Sequence, residues 1–332
     1  MSAAMTVKNP FAAPDAVFVM GPTASGKSEF AFRLAKRFGG EIVSADSMQI
    51  YRGMDIGTAK EPPSRREAVP HSLIDVVAPD EEYSVARFRD EATAAGKKAL
   101  AEGRLPIFVG GTGLYFESLF YPLSFGSAMK DPILRRELEE ELSREGAEAM
   151  HRKLAAADAA AAAKLHPNDT KRVIRALEIA LSGAAAHGAE MKTEAPDVIA
   201  VKFEPADRKA LYAAIDARVD EMIASGLAEE IAALAPDPAW QSMQAIGYKE
   251  FAPYLGRISD GKMPMTAEEL AEVSELIKKH TRNYAKRQLT WFRRYAFAAS
   301  FDVGDFDAAE RYVAKRLEEC GRDDGVRGGQ AD

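Results

Sequence analysis

A chain of 332 residues has room for one large or two ordinary domains with a sizeable core. Its 44 Lys and Arg against 51 Asp and Glu give a net charge of −7, which argues against a general nucleic-acid coat protein but leaves local basic patches open. Hydrophobic residues at 47% and charged residues at 29% exclude a wholly disordered chain, and the single cysteine, Cys320, excludes an internal disulfide framework or a Cys₂His₂ or Cys₄ zinc module.

Residues 1–13 read as a loose leader. The apolar run Ala16 to Met20 predicts a buried strand, followed by a glycine-rich loop and a helix from about Lys27 to Phe38 that Gly39-Gly40 stops. Ile42 to Ala45 is a second apolar run, ending at Asp46, and Leu73 to Val77 reads as a third strand. Ser84 can cap a helix that runs to about Glu102, and Leu105 to Val109 predicts a further strand before Gly110-Gly-Thr-Gly113. Strands alternating with helices predict an α/β fold, a parallel sheet with helices on both faces. From Asp131 to Ser182 the periodicity is helical, with an alanine-rich stretch at 155–163 that reads as plain helix surface and possible N-caps at Asn168, Asp169 and Thr170. Residues 183–196 are Ala, Gly, Pro and polar, a linker composition, and Val198 to Phe203 reads as a strand that rejoins the sheet. Asp207 to Ser225 follows as a helix with Leu211, Ile215, Val219 and Met222 at helical spacing. These signals divide the chain into an α/β core at 14–124 and 197–303 and an all-helical insertion at 125–196, with disorder expected at 1–13 and 320–332.

The segment Gly21-Pro22-Thr23-Ala24-Ser25-Gly26-Lys27-Ser28 matches G-x-x-x-x-G-K-[ST] in full, after a strand and before a helix. Such a P-loop turns backbone N–H groups and a helix N-terminus toward phosphate oxygens. Lys27 adds a point charge, and Ser28 is placed to ligate Mg²⁺. The motif says phosphate chain and does not say ATP. An ATPase or kinase normally ends a second apolar strand in an acidic residue that holds Mg²⁺. Here the strand at 105–109 ends in Gly110-Gly111-Thr112, while Asp46 ends the strand next in sequence. Ligands of open α/β sheets bind at the carboxyl ends of the strands, so the phosphate loop, Asp46 to Gln49 and Thr112 are expected to converge. Taken singly, Asp46 is equally a turn residue and Thr112 equally a capping hydroxyl.

Six ordered stretches resemble the bacterial tRNA dimethylallyltransferases: GPTASGKS, SADSMQIYRGMDIGTAK (44–60), VGGTGLYFESL (109–119), HPNDTKRVIRALE (166–178), MQAIGYKEF (243–251) and KRQLTWFRR (286–294). The resemblance runs from about Ala16 to Tyr295. Gln244 is a departure, standing where some members of that family carry a basic residue.

The resemblance implies transfer of a dimethylallyl group from its pyrophosphate to the exocyclic amine of an adenosine just 3′ of the anticodon. It implies Asp46 as the carboxylate that orients the amine and takes its proton. Lys27, the phosphate loop, Mg²⁺ on Ser28 and Arg218 would stabilise the leaving pyrophosphate. Thr112 would position the amine. The tRNA contacts it implies are Asp46, Ser47, Met48, Gln49 and Thr112; Arg135; Lys171, Arg172, Val173, Ile174 and Arg175; Gln244, Ala245, Ile246, Gly247, Tyr248 and Lys249; and Lys286, Arg287, Gln288, Leu289, Thr290, Trp291, Phe292 and Arg293.

Charge patterning adds its own argument. From Leu276 to Phe301 there is no acidic residue but seven basic ones: Lys278, Lys279, Arg282, Lys286, Arg287, Arg293 and Arg294. At 100° per residue, Lys279, Arg282, Lys286 and Arg293 share a narrow stripe. Ile277, Tyr284, Trp291 and Tyr295 fall nearly opposite, with Leu289 an exception. Such a helix would offer phosphates a basic face, while an ordinary solvated face has the same pattern. The single cysteine makes a reducing cytoplasm the simplest compartment, no apolar run reaches ~18 residues and the N-terminus lacks a secretory pattern; the chain is expected to act as a monomer. Other readings are transfer to free adenine nucleotides, an ATP-dependent small-molecule kinase, and a nucleotide-gated RNA-binding module without chemistry.

Overall fold

The computed structural model describes residues 10–121, 131–182 and 195–322. Its centre is a six-stranded parallel sheet of β1 (Val17–Met20), β2 (Gly40–Ser44), β3 (His71–Ser72), β4 (Leu105–Gly110), β5 (Ile199–Glu204) and β6 (Ala299–Asp302), in the order β3-β2-β4-β1-β5-β6. The pleat sends alternate side chains to opposite faces. Phe18 and Met20 enter one apolar core and Val17 and Val19 the other. Helices Lys27–Phe38 and Phe306–Glu319 cover the second face through Phe30, Leu34, Val313 and Leu317. Helices Val85–Ala101, Gly113–Phe120, Leu227–Leu234 and Ala267–Phe292 contribute Phe88, Phe116, Ile231 and Ile277 to the first. The expected α/β class with helices on both faces is therefore what forms.

The chain divides into two units, one formed by residues up to Pro122 together with those from Ala195, the other by Leu123–Glu194. The second contains helices Pro132–Glu145, Ala147–Ala157, Ala159–Ala162 and Thr170–Leu181 around Leu138, Met150, Leu154, Val173, Ile174 and Leu177. The alanine-rich stretch is not one helix. Asp158 interrupts it, its side chain accepting a hydrogen bond from Ala161 N at 2.9 Å. Residues 183–194 of the expected linker, and the tail from 323, lie outside the described residues.

Several expectations fail for local reasons. Leu73 to Val77 is not a strand. Leu73 and Asp75 have positive φ (62° and 59°), and the Asp75 carboxylate is held by Lys60 and Arg66 at 2.6 and 2.8 Å. Only His71–Ser72 pairs with β2. The leader is not wholly loose: Phe11 is buried, with its ring 5.1 Å from that of Phe108. The basic helix begins at Ala267, where Thr266 and Glu269 form a reciprocal capping box, and it stops at Phe292. Ala299–Asp302 then forms strand β6, paired in parallel with β5.

Candidate active site

A cavity of about 300 Å³ opens at the carboxyl ends of β1, β2 and β4. Its lining includes Thr23, Lys27 and Ser28 from the phosphate loop, Asp46 to Gln49 from the turn after β2, Arg218 from helix Arg208–Ala224, and Tyr284, Arg287 and Gln288 from helix Ala267–Phe292. Thr112 stands at its edge, hydrogen-bonded to Ser47. Strand ends thus bring together residues far apart in sequence, as the sheet topology requires.

The phosphate loop follows β1 directly and leads into the helix at Lys27, as its motif predicts. Ala24 and Gly26 adopt positive φ (59° and 73°), which turns the loop tightly. Lys27 Nζ donates to Pro22 O at 3.1 Å. Burial pushes the Lys27 ammonium down to about 8, and the neighbouring Arg218 charge pushes it the same way against the pull of Asp46. Burial also lowers Arg218, opposed first by Asp46. The two cations and one carboxylate therefore share one field.

In Asp46, the two carboxylate oxygens are used differently, Oδ1 serving the turn. Oδ1 accepts from Met48 N at 2.8 Å and, more weakly, from Gln49 N at 3.4 Å. Oδ2 has no hydrogen-bond partner among the described residues. The turn role and the catalytic role considered for Asp46 are thus compatible. Thr112 Oγ1 accepts from Ser47 N at 3.1 Å and donates to Ser47 Oγ at 3.3 Å. Gln49 closes the same turn, taking a bond from Ser44 Oγ at 3.0 Å and giving one to Thr58 O at 3.3 Å. Tyr284 sits over this group, and burial pushes its hydroxyl up to about 12, so it is a neutral donor.

Gly110 permits this convergence. A Cβ there would come within 2.1 Å of Ala45 O, so the turn after β2 can lie against the end of β4 only if that side chain is absent.

The residues expected to meet RNA divide into three groups. Gln244, Ala245, Ile246, Gly247 and Lys249 line the cavity with Met48, Gln49 and Arg287. Lys286 and Thr290 on the long helix and Arg293 just past its end are exposed, outside that lining. Val173, Ile174, Tyr248, Leu289 and Phe292 are packed inside and offer no surface to a partner. Leu289 was the exception to the helical stripe because the helix has a second apolar contact, with Leu211 and Ile215. Trp291 is half-buried, its Nε1 donating to Tyr295 OH at 3.2 Å. Arg282 pairs with Asp216. In the helical unit Lys171 and Arg172 are exposed, Arg172 pairs with Asp169, and Arg135 and Arg175 both pair with the buried Glu178.

Sequence reasoning missed Glu230. Its carboxylate accepts from Asp55 N, Ile56 N and Gly57 N at 2.9, 2.7 and 3.3 Å and from Tyr248 OH at 2.6 Å. It thereby holds the loop that presents Gly57 and Thr58 to the cavity. No local pattern marks it, because the loop amides it holds lie more than 170 residues earlier in the chain.

Among the described residues no three His, Cys, Asp or Glu side chains cluster to hold a metal unaided. The Ser28 hydroxyl beside a phosphate-binding loop suits a hard cation that takes its other ligands from phosphate oxygens and water.

The family described as IPP transferase matches residues 49–295, and one described as isopentenyl transferase matches residues 14–69. The tRNA dimethylallyltransferase of Pelotomaculum thermopropionicum is 44% identical over 309 residues, covering 91% of this chain and 95% of that protein. That of Geobacillus kaustophilus is 43% identical, with 90% and 96% covered. Among solved structures, the tRNA isopentenylpyrophosphate transferase of Bacillus halodurans is 40% identical with a TM-score of 0.63, covering 92% of this chain and 97% of that one. A eukaryotic dimethylallyltransferase acting on tRNA gives 0.69 at 28% identity, covering 90% and 77%. With its phosphate loop, its cavity and this match over most of its length, the chain belongs to the IPP transferase family.

Proposed function

We propose that this protein transfers a dimethylallyl group from dimethylallyl pyrophosphate to the exocyclic N6 amine of the adenosine 3′-adjacent to the anticodon in tRNA. The observation that carries this reading is one cavity holding a phosphate loop, two cations and a carboxylate with a free oxygen. The pyrophosphate lies in the loop, against the amides that follow Gly21 and the charges of Lys27 and Arg218. Ser28 would hold Mg²⁺, which would supply further neutralisation of the departing charge. The adenine amine is a weak nucleophile, its lone pair delocalised into the ring. Asp46 Oδ2 orients it and takes its proton as the N6–C bond forms and the allylic C–O bond breaks. Pyrophosphate leaves with the electron pair of that bond. Thr112, tied to Ser47, sets the height of the amine.

Exposed Lys286 and Arg293, with Arg287 at the cavity rim, provide a basic approach for the anticodon stem-loop, and splayed loop bases fit a target beside the anticodon. A kinase reading has less support, since β4 ends in Gly110-Gly111-Thr112 without an acidic metal ligand. We expect it to work on tRNA as a cytoplasmic monomer; no described helix is long and apolar enough to cross a membrane. The test is incubation with total tRNA, dimethylallyl pyrophosphate and Mg²⁺, followed by nucleoside mass spectrometry. Prenylated adenosine with one pyrophosphate released per transfer is the expected result. ATP cleavage coupled to product in place of the allylic donor would overturn the reading.

A further inference from the structure

Gln288 lies in the basic stretch 286–293, yet its side chain faces inward and is 5% exposed. Its Oε1 accepts from Thr23 N at 2.9 Å, and its Nε2 donates to Gly111 O at 2.9 Å. Both bonds use backbone groups of the two segments between which the transfer takes place. Thr23 belongs to the phosphate loop after β1, and Gly111 immediately precedes Thr112 after β4. The contact with Gly111 is close: a Cβ there would lie 2.1 Å from Gln288 Nε2 and 3.5 Å from Gly21 O. The amide orientation is fixed by this pairing, because a flipped amide would face N–H with NH₂ and C=O with C=O.

β1 and β4 are neighbours in the sheet, in register from Val17↔Ile107 to Met20↔Gly110. Beyond Met20 and Gly110 that ladder ends. Gln288 joins the two loops beyond the last rung.

We propose that Gln288 is a positioning residue that sets the distance between the leaving-group site and the amine site. This inference rests on the prenyl-transfer reading above. Group transfer needs the breaking C–O bond and the attacking nitrogen held in line, and misplacement by about 1 Å can cost roughly 10²-fold in rate. A residue that fixes the spacing of two half-sites has a distinct signature. Each substrate still binds its own half, while the transfer between them slows. A residue that touches RNA would instead alter tRNA affinity.

Two variants test this. Gln288→Glu keeps size and the acceptor for Thr23 N but sets a carboxylate oxygen against Gly111 O. Gln288→Ala removes both bonds. Measurements are kcat, tRNA affinity by filter binding, inorganic pyrophosphate affinity by calorimetry, and hydrogen exchange of the peptide spanning 21–26. The expected result is kcat lowered about 10- to 100-fold in both, with tRNA affinity within threefold of the parent in both, pyrophosphate affinity within threefold in Gln288→Ala, where no charge is added, and faster exchange at 21–26. Unchanged kcat and exchange would overturn the proposal. So would tRNA affinity lost with kcat preserved, which would make Gln288 an RNA contact. If the parent forms no prenylated product, the functional reading fails, while unchanged exchange at 21–26 in the variants still refutes the bridge on its own. Melting of both variants near the parent temperature establishes that they fold; if Gln288→Ala does not, Gln288→Glu carries the test.

Discussion

The cavity of the α/β unit and the helical unit treat charge in opposite ways. In the α/β unit the cavity brings Lys27, Arg218 and Asp46 together with little to neutralise them, and burial lowers both cations from their ordinary values. Its geometry is fixed by uncharged bonds from Gln49, Thr112 and Gln288 to backbone, with the Glu230 carboxylate holding the loop at 55–57. The helical unit builds the reverse arrangement. Most of its arginines pair with carboxylates, two of them converging on buried Glu178, around a small core of Leu138, Leu154 and Leu177. Charges held ready for a substrate stay unpaired at a cost, and neutral hydrogen bonds must hold them there. Paired charges hold a helix bundle together and are less available to a ligand.

The sharpest way to break this comparison is Asp46→Ala. Loss of the base and orienter is expected to lower turnover by roughly 10²- to 10⁴-fold while tRNA affinity changes far less. Single-turnover kinetics beside filter binding measure it, and turnover within a few-fold of the parent would remove Asp46 from the chemistry.

Next is Leu154→Ala in the helical unit. Leu154 is fully buried there. The truncation is expected to cost about 2–5 kcal/mol of that unit's stability. Denaturant unfolding read by hydrogen exchange in 131–182 should show the loss, with the α/β unit unaffected. A loss spread equally over both units would contradict their independence.

Lys27 gives a pH-dependent prediction. Its ammonium is lowered to about 8 by burial and by Arg218. Below about pH 8 the free protein already carries the charge that pyrophosphate needs. Above it, binding must take up a proton, so affinity falls, by up to tenfold per pH unit. Folding stability follows the opposite course. The unfolded chain keeps the proton up to 10.5, so stability rises as pH climbs from about 8 toward that value. Calorimetry of inorganic pyrophosphate in buffers of different ionisation heat measures the uptake. Affinity flat from pH 7 to 10 would show that Lys27 does not titrate in this range.

The smallest effect distinguishes free from paired cations. Lys286→Ala removes an exposed charge with no ion pair among the described residues, so the salt slope of tRNA binding should fall by roughly one unit. Arg175→Ala should change it less, because its charge is already shared with Glu178. Equal slopes in both variants would erase the distinction between the two units.

Which parts of this were legible in the sequence follows the range of the forces. The phosphate loop and the helix at Lys27 were legible because seven or eight consecutive residues determine them. Asp46 was legible as the end of an apolar run, though its dual use was not. Leu73 to Val77 misled because its apolar composition is that of a strand, while the salt bridges of Asp75 bend it away. Those partners, Lys60 and Arg66, lie 15 and 9 residues earlier. Glu230 and Gln288 were illegible in their true roles, since each acts on backbone supplied by a segment far away. Helical spacing correctly set a basic face on the long helix. It could not reveal that Leu289 meets a second helix.

The bond between Thr23 and Gln288 spans 265 positions of chain. A ribosome adding roughly 5–20 residues per second needs on the order of 10 to 50 seconds to connect its two ends. During that time the phosphate loop exists without its clamp, and β1 waits for β5, which must pair along one of its edges. Partial chains therefore expose an unsatisfied apolar strand and have no assembled cavity. The catalyst comes into being only near the end of synthesis, and until then the nascent chain depends on shielding of that edge.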